Sequence, residues 1–343
     1  MATQTDFKSG LGDADDAPAL SPPDIPTWTE NLFWVAFDKK NGIGMAVHLG
    51  STRHDFNVVR QSIIISLPDG RLVSDVSVGG FREGRKVRGA TLAFECVDPF
   101  REWRITSNGV GQIAPLAEMW NNSPRQGPRV PVQLDIKGEC LGPVWVAGAD
   151  ENVEQMQQQE WASSHYQQTI RLQGKLDIDG VHYEFDATGW RDHSRGPRDF
   201  SNWTGHALFS APFASGRSFG LMSVFGPGGK TVYRSAYVVR DGVMERGVPR
   251  PVAPLSQNFL GSESGTIELE IGDRVEKISF RTHGGFVLSM LAPYDVTPGI
   301  YRDSPGGIAL SEAMATVTWD GETSCGVLER SALAATLAPV PLP

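Results

Sequence analysis

The sequence predicts an all-β chain folded as two antiparallel β-barrels or sandwiches in tandem, with few helices. Three observations carry this. Beyond residue 30, apolar residues recur at every second position through most of the chain. Turn signals separate these runs at short, regular intervals, served by 38 glycines in 343 residues. A chain this long, 40% hydrophobic, buries more than one core normally organises, so two domains are expected. The expected boundaries are an arm over residues 1–24, an N-terminal β domain over 25–150, a C-terminal β domain over 151–335 and a tail over 336–343.

The arm, "MATQTDFKSGLGDADDAPALSPPDIP" at its start, is polar, acidic and proline-rich, and is expected to have little structure of its own. "QSIIISLPDGRLVSDVSVGG" (61–80) is an apolar run, a turn at Pro68-Asp69-Gly70 and a second alternating run, which makes a hairpin. "KVRGATLAFECVDPFREWRITSNG" (86–109) gives two more strands, broken at Asp98-Pro99. "ADENVEQMQQQEWASSHY" (149–166) is the one helix-like stretch and reads as a connector between the domains. In "IRLQGKLDIDGVHYEFDATGW" (170–190), Ile170, Leu172, Leu176 and Ile178 share one phase. Val181, Tyr183, Phe185 and Ala187 share the next after the Asp179-Gly180 turn, so this is a second hairpin. Further turns at Gly226 to Gly229, Asp241-Gly242 and Gly272-Asp273, and a last strand pair in "GIALSEAMATVTWDGETSCGVLER", complete the pattern.

Composition bounds the function. Forty acidic against 31 basic residues give a net charge of −9, which removes any global attraction to nucleic acid or anionic lipid. Cys96, Cys140 and Cys325 show no CxxC spacing and are expected to be free thiols in a reducing compartment. The start lacks a basic segment followed by an apolar run, and no stretch of about 20 apolar residues could span a bilayer. A cytoplasmic protein is the expectation. His48, His54, His206 and His283 belong to no cluster at metal spacing, so neither a metal nor another cofactor is expected.

Chemistry concentrates in "GWRDHSRGPRDF" (189–200), where Arg191, Asp192, His193, Arg195, Arg198 and Asp199 lie between Trp190 and Phe200. Asp192 beside His193 offers the parts of an acid-base pair, but neighbours on a strand point to opposite faces, so direct pairing needs a bend. Gly189 permits one. The ordinary structural alternative is an ion-pair network pinning a loop across a barrel mouth. His165 alone, at a strand start, reads as a surface or capping residue. "GPGGKT" (226–231) lacks the first glycine and following helix of a phosphate loop and reads as a hairpin turn. "GRSFG" (216–220) has the letters of a nucleophile elbow without its strand-turn-helix setting, which makes Ser218 an ordinary strand residue. The tryptophans are expected mostly in the core, with some free to line a cavity for an apolar ligand.

"HYQQ" at 165–168, the strand, the "IDG" turn, the second strand and "GWRDHSRGPRDF" together resemble the C-terminal half of the tandem lipocalin-like proteins. That group includes carotenoid 1,2-hydratase (hydroxyneurosporene synthase), AttH-like proteins and fungal pericyclases of the Diels-Alderase type. Its pattern runs "HYEQ … GxRDHSWGxRDW", and residues 165–203 follow it in order and spacing. "WTENLFWVAF", "DPFREWRITSNG" and "TSCGVLE" match more loosely. The resemblance implies two calycin-type domains with a hydrophobic ligand in or between them. It also implies an acid-base role for His193. Where the family has Trp after the His-Ser, this chain has Arg195, a fixed charge that suits an anion or enolate rather than a carbocation. Gln167 stands where the family often has Glu.

The expected function is therefore a cofactor-independent enzyme acting on a hydrophobic small molecule such as a terpenoid, steroid, polyketide or aromatic. The reaction expected is hydration, dehydration or isomerisation. In it His193 is the general acid or base, Asp192 or Asp199 orients it, and Arg195 polarises a carbonyl. His165, Tyr166, Gln167, Trp190, Arg198 and Trp203 are expected to line the substrate site. A lipid-binding protein without catalysis, or a pericyclase working by shape alone, are the alternatives.

Overall fold

The computed structural model describes residues 6–120, 127–146, 164–197, 203–255, 262–292, 295–304 and 306–338. The helix-like connector, apart from its last residues, lies outside them. After a single-turn helix α1 (Asp13–Asp16), the first strands are β1 (Trp28–Asp38), β2 (Ile43–Thr52), β3 (Val59–Ser66) and β4 (Arg71–Gly79). Three short ones follow, β5 (Phe81–Glu83), β6 (Lys86–Arg88) and β7 (Leu92–Asp98). Then come β8 (Glu102–Pro115), β9 (Arg129–Cys140), β10 (Trp145–Val146), β11 (Ser164–Ile178) and β12 (Val181–Pro197). The second set is β13 (Gly205–Pro212), β14 (Ser218–Phe225), β15 (Thr231–Arg240), β16 (Val243–Pro249) and β17 (Ser264–Ile271). It ends with β18 (Arg274–Ala292), β19 (Asp295–Pro298), β20 (Ile308–Trp319) and β21 (Glu322–Leu333).

Local chemistry sets the hairpins. Asp179-Gly180, Asp241-Gly242 and Asp320-Gly321 each put two consecutive residues at positive φ, which is the two-residue turn whose twist matches the strands it joins. Ser218 lies in a strand, and Pro227 to Gly229 form a tight turn between β14 and β15, as their surroundings in the sequence predict. The three cysteines are free thiols.

Strands β11, β12, β1, β2, β3, β4, β8 and β9 pair in that order, and β9 pairs back to β11, so eight antiparallel strands close a barrel. In the second sheet the pairings from β17 through β16, β15, β14, β13, β21, β20 and β18 return to β17. This is a tandem lipocalin-like architecture. One expectation needs correction: the hairpin 164–197, which the sequence assigns to the second domain, completes the first barrel. A hairpin signal says that two strands pair with each other and is silent about their outer neighbours. Here β9 and β1 take those places.

Among its described residues the arm has only α1 as regular structure, yet it docks. Asp16 is completely buried against the first barrel. Inside that barrel Leu32, Trp34, Met45, Val47, Phe94, Trp103 and Ile136 form the core. The opposite faces of its strands, through Val35, Phe37, Ala46, Ile64 and Trp190, pack on Leu208, Met222, Val224, Leu288 and Leu310 of the second sheet. Strand β1 is therefore covered on both sides, which is why "WTENLFWVAFD" is apolar on both phases.

Gly189 does not bend β12. The strand pairs residue for residue with both β1 and β11 straight through it. The glycine is required for a different reason: a Cβ there would lie 2.0 Å from the Val35 carbonyl oxygen and 2.7 Å from the Ala36 Cα. Backbone cannot yield as a side chain can, so Gly189→Ala is expected to cost about 3 kcal/mol and lower Tm by more than about 5 °C. Thermal unfolding checks this, and an unchanged Tm would contradict it.

Candidate functional site

Because β12 stays in register, its side chains keep alternating. Arg191, His193 and Arg195 follow Phe185 and Ala187 into the first barrel, while Trp190, Asp192 and Ser194 face the second sheet. On β11, Tyr166 and Gln168 point inward, and His165 and Gln167 outward. The outward set lines a cleft between the barrels. Its walls are mostly apolar: Phe33, Leu208, Met222, Val224, Leu288 and Leu310.

Two His–carboxylate pairs interrupt this surface. The first is His165 Nε2 on Asp192 Oδ2, diagonal neighbours across the β11–β12 ladder. The second comes from the other barrel, where His206 Nε2 meets Glu329 Oε1. The Ser331 hydroxyl lies 2.6 Å from His206 Nδ1, and the Trp203 ring lies 4.9 Å from the imidazole. Behind Glu329, directly opposite on β20, stands Glu312, fully buried, with no hydrogen-bond donor on either oxygen among the described residues. His48 Nε2, 3.0 Å from Asn31 Oδ1, completes the polar lining.

Burial, and then the Glu329 charge, push the Glu312 carboxyl well above its ordinary value. Burial acts on Glu329 too, but His206 outweighs it and keeps Glu329 below its ordinary value. Glu312 is thus a neutral acid beside an ionised one. The linkage sign follows. A raised folded pKa gives stability that is present below the unfolded value of 4.5 and is lost as pH rises through the folded pKa. Above pH 4.5 the unfolded chain sheds this proton and the folded one keeps it, a loss of about 1.4 kcal/mol per pH unit. Glu312→Gln removes that slope, so its stability relative to wild type is expected to rise from pH 5 to pH 8. An equal difference at both pH values in urea titrations would contradict it.

Several sequence-predicted residues are here: Asp192, His165, Gln167, Trp190 and Trp203 line the cleft. Tyr166, His193 and Arg195 do not. His193 Nε2 lies 3.1 Å from Glu30, its Nδ1 lies 2.9 Å from the Tyr166 hydroxyl, and Arg195 Nε donates to Glu30 at 2.8 Å. Burial, with Arg195 next, lowers the His193 pKa against the pull of Glu30. The expectation that His193 carries the proton and Arg195 polarises the substrate is corrected by this placement: both serve the barrel interior and its arm. Arg198 and Asp199 lie outside the described residues.

Sequence reasoning missed His206, Glu329, Glu312 and His48. His206 and Glu329 stand 123 positions apart, beyond any local pattern. One signal was present: Glu312 in "GIALSEAMATV" and Glu329 in "CGVLERSAL" are charges inside otherwise apolar strands. His165 was legible by counting, because the Asp179-Gly180 turn sets it opposite Ser194 and diagonal to Asp192. Among the described residues no group of three His, Cys, Asp or Glu side chains is placed to hold a metal.

The model of a family described as a domain of unknown function (DUF7064) matches residues 12–334. No curated protein matches the sequence. Among solved structures, a candidate AttH protein from Nitrosomonas europaea is similar over 92% of this chain and 99% of its own, with a TM-score of 0.56 at 13% identity. That likeness shows a shared fold. CghA, alone and with Sch210972, is similar over 98% of both chains at 14% and 13% identity, with a TM-score of 0.49 in each case.

Proposed function

This chain belongs to the DUF7064 family, and from its inter-barrel cleft we propose an enzyme that performs general acid-base chemistry on an apolar small molecule bearing a polar oxygen. The observation that carries this is the pair of His–carboxylate dyads set into one apolar cleft, one from each barrel. An imidazole held by a carboxylate is fixed in orientation and tautomer, as proton transfer at a set position requires. Two of them let one accept a proton while the other donates. That supports an isomerisation, in which a proton leaves one atom and returns to another, or the addition or loss of water across a double bond. The apolar walls support a terpenoid, steroid, polyketide or aromatic body.

Incubation of the protein in D2O with a panel of such compounds, followed by mass spectrometry, tests the reading. The expected result is deuterium gained, or one water gained or lost, in at least one compound. A compound that binds tightly, is returned unchanged and binds equally well to His165→Gln would make this a binding protein instead.

A further inference from the structure

The first barrel carries a second built site, on the inner side of the wall whose outer side faces the cleft. Four donors from separate segments converge on one carboxylate, that of Asp16. Arg191 Nη2 lies at 2.7 Å, the Tyr166 hydroxyl donates at 2.6 Å, the Phe100 backbone N–H at 2.5 Å and the Trp103 indole N–H at 3.1 Å. These donors sit on β12, β11, the β7–β8 turn and β8, so the set is complete without the arm. The guanidinium is boxed by the rings of Trp34, Trp103 and Tyr166 at 5.4–5.5 Å, and Gln168 Oε1 accepts from its Nε at 3.0 Å. Its Nη1 finds no acceptor among the described residues, although it is buried from water. A wholly buried cation with three further donors aimed at the same point calls for an anion there.

We infer that this is a carboxylate receptor, which the chain fills with its own Asp16 and which takes a small free carboxylate when that side chain is removed. The other arm contacts at this wall are different in kind. Arg195 Nη1 donates to the Ala14 carbonyl at 3.2 Å, Arg82 Nη1 donates to the Ala19 carbonyl at 3.0 Å, and the Ala19 N–H donates to Glu30 at 3.0 Å. Asp16 is the arm residue whose charge enters the barrel. Burial opposes that charge, and Arg191, the Tyr166 hydroxyl, the Phe100 N–H and His193 outweigh it, keeping Asp16 ionised. The receptor backs directly onto β11 and β12, so the arm latches the strands that present His165 and Asp192 to the cleft.

The test is chemical rescue of stability at pH 7, which is independent of any cleft chemistry. Wild type, Asp16→Ala and Asp16→Asn are melted in rising sodium acetate, with chloride holding ionic strength constant, and in acetamide. Asp16→Ala is expected to melt lower than wild type and to recover about 3–5 °C once acetate exceeds its dissociation constant about tenfold. Acetamide, the same shape without charge, is expected to do nothing, and neither wild type nor Asp16→Asn should respond, their sockets being filled. If Asp16→Ala does not fold unaided, refolding yield in acetate against acetamide gives the same comparison. Rescue by acetamide as strong as by acetate, an equal acetate response in Asp16→Asn, or no response in Asp16→Ala would each overturn the receptor.

Discussion

Arg191→Met is expected to cost about 3–5 kcal/mol, a large part of the stability an ordinary domain possesses. Arg191 and Asp16 are both completely buried, 2.7 Å apart, inside the first barrel. Removing the guanidinium strands a carboxylate where no water can reach it, and the three remaining donors to Asp16 are neutral. Asp16→Leu fails for the mirror-image reason, leaving an arginine among three aromatic rings. Replacing both at once removes both desolvation penalties and fills the space with apolar atoms. Asp16→Leu/Arg191→Met is therefore expected to be more stable than either single variant, with a coupling energy of about 2 kcal/mol or more. Urea titrations of the four proteins measure it. Additive single losses would mean that the two charges do not depend on one another.

His165→Gln is expected to lower the rate of the cleft reaction about 10²- to 10⁴-fold, the usual contribution of one proton carrier. Gln keeps hydrogen-bonding capacity and much of the volume but cannot relay a proton at neutral pH. Asp192→Asn should reduce the rate by less, since it leaves the imidazole in place and removes the charge that orients it. Neither change disturbs the barrel core, because both side chains lie on the cleft side of their strands. His206→Gln, on the opposite wall, is expected to give a loss of the same order if the two dyads share the work. Deuterium incorporation per folded molecule is the readout. A His165→Gln protein with wild-type turnover would place the proton transfer elsewhere.

The two faces of β12 explain what the sequence reveals and what it hides. The motif "RDHSRG" concentrates the ionisable groups on β12, and the hairpin turn at Asp179-Gly180 fixes the register of that strand on β11. Reading Gly189 as a kink lost the phase, and with it the separation of Asp192 from His193. Strict alternation puts Asp192 in the cleft and His193 in the barrel. Arg195, which looked like a comment on substrate charge, holds Glu30 and the Ala14 carbonyl of the arm, so it says nothing against a cationic intermediate in the cleft. The second dyad was out of reach, since no local rule brings "GHALFS" to "VLERS" across 123 residues. The docking of the arm was equally hidden, because in an acidic, proline-rich segment the isolated Phe7 and Leu11 make no periodic apolar face to announce it. Its one charge inside the barrel is the Asp16 carboxylate.

The central claim is that substrate sits on the outward face of β11 and β12, between the barrels. A crystal structure of the protein with the first compound shown to exchange deuterium tests it most directly. The result expected is the compound's oxygen within hydrogen-bond reach of the His165 or His206 imidazole, with its apolar body against Phe33, Leu208 and Leu310. A compound found inside the first barrel, against His193 and Arg195 with the arm displaced, would contradict the account.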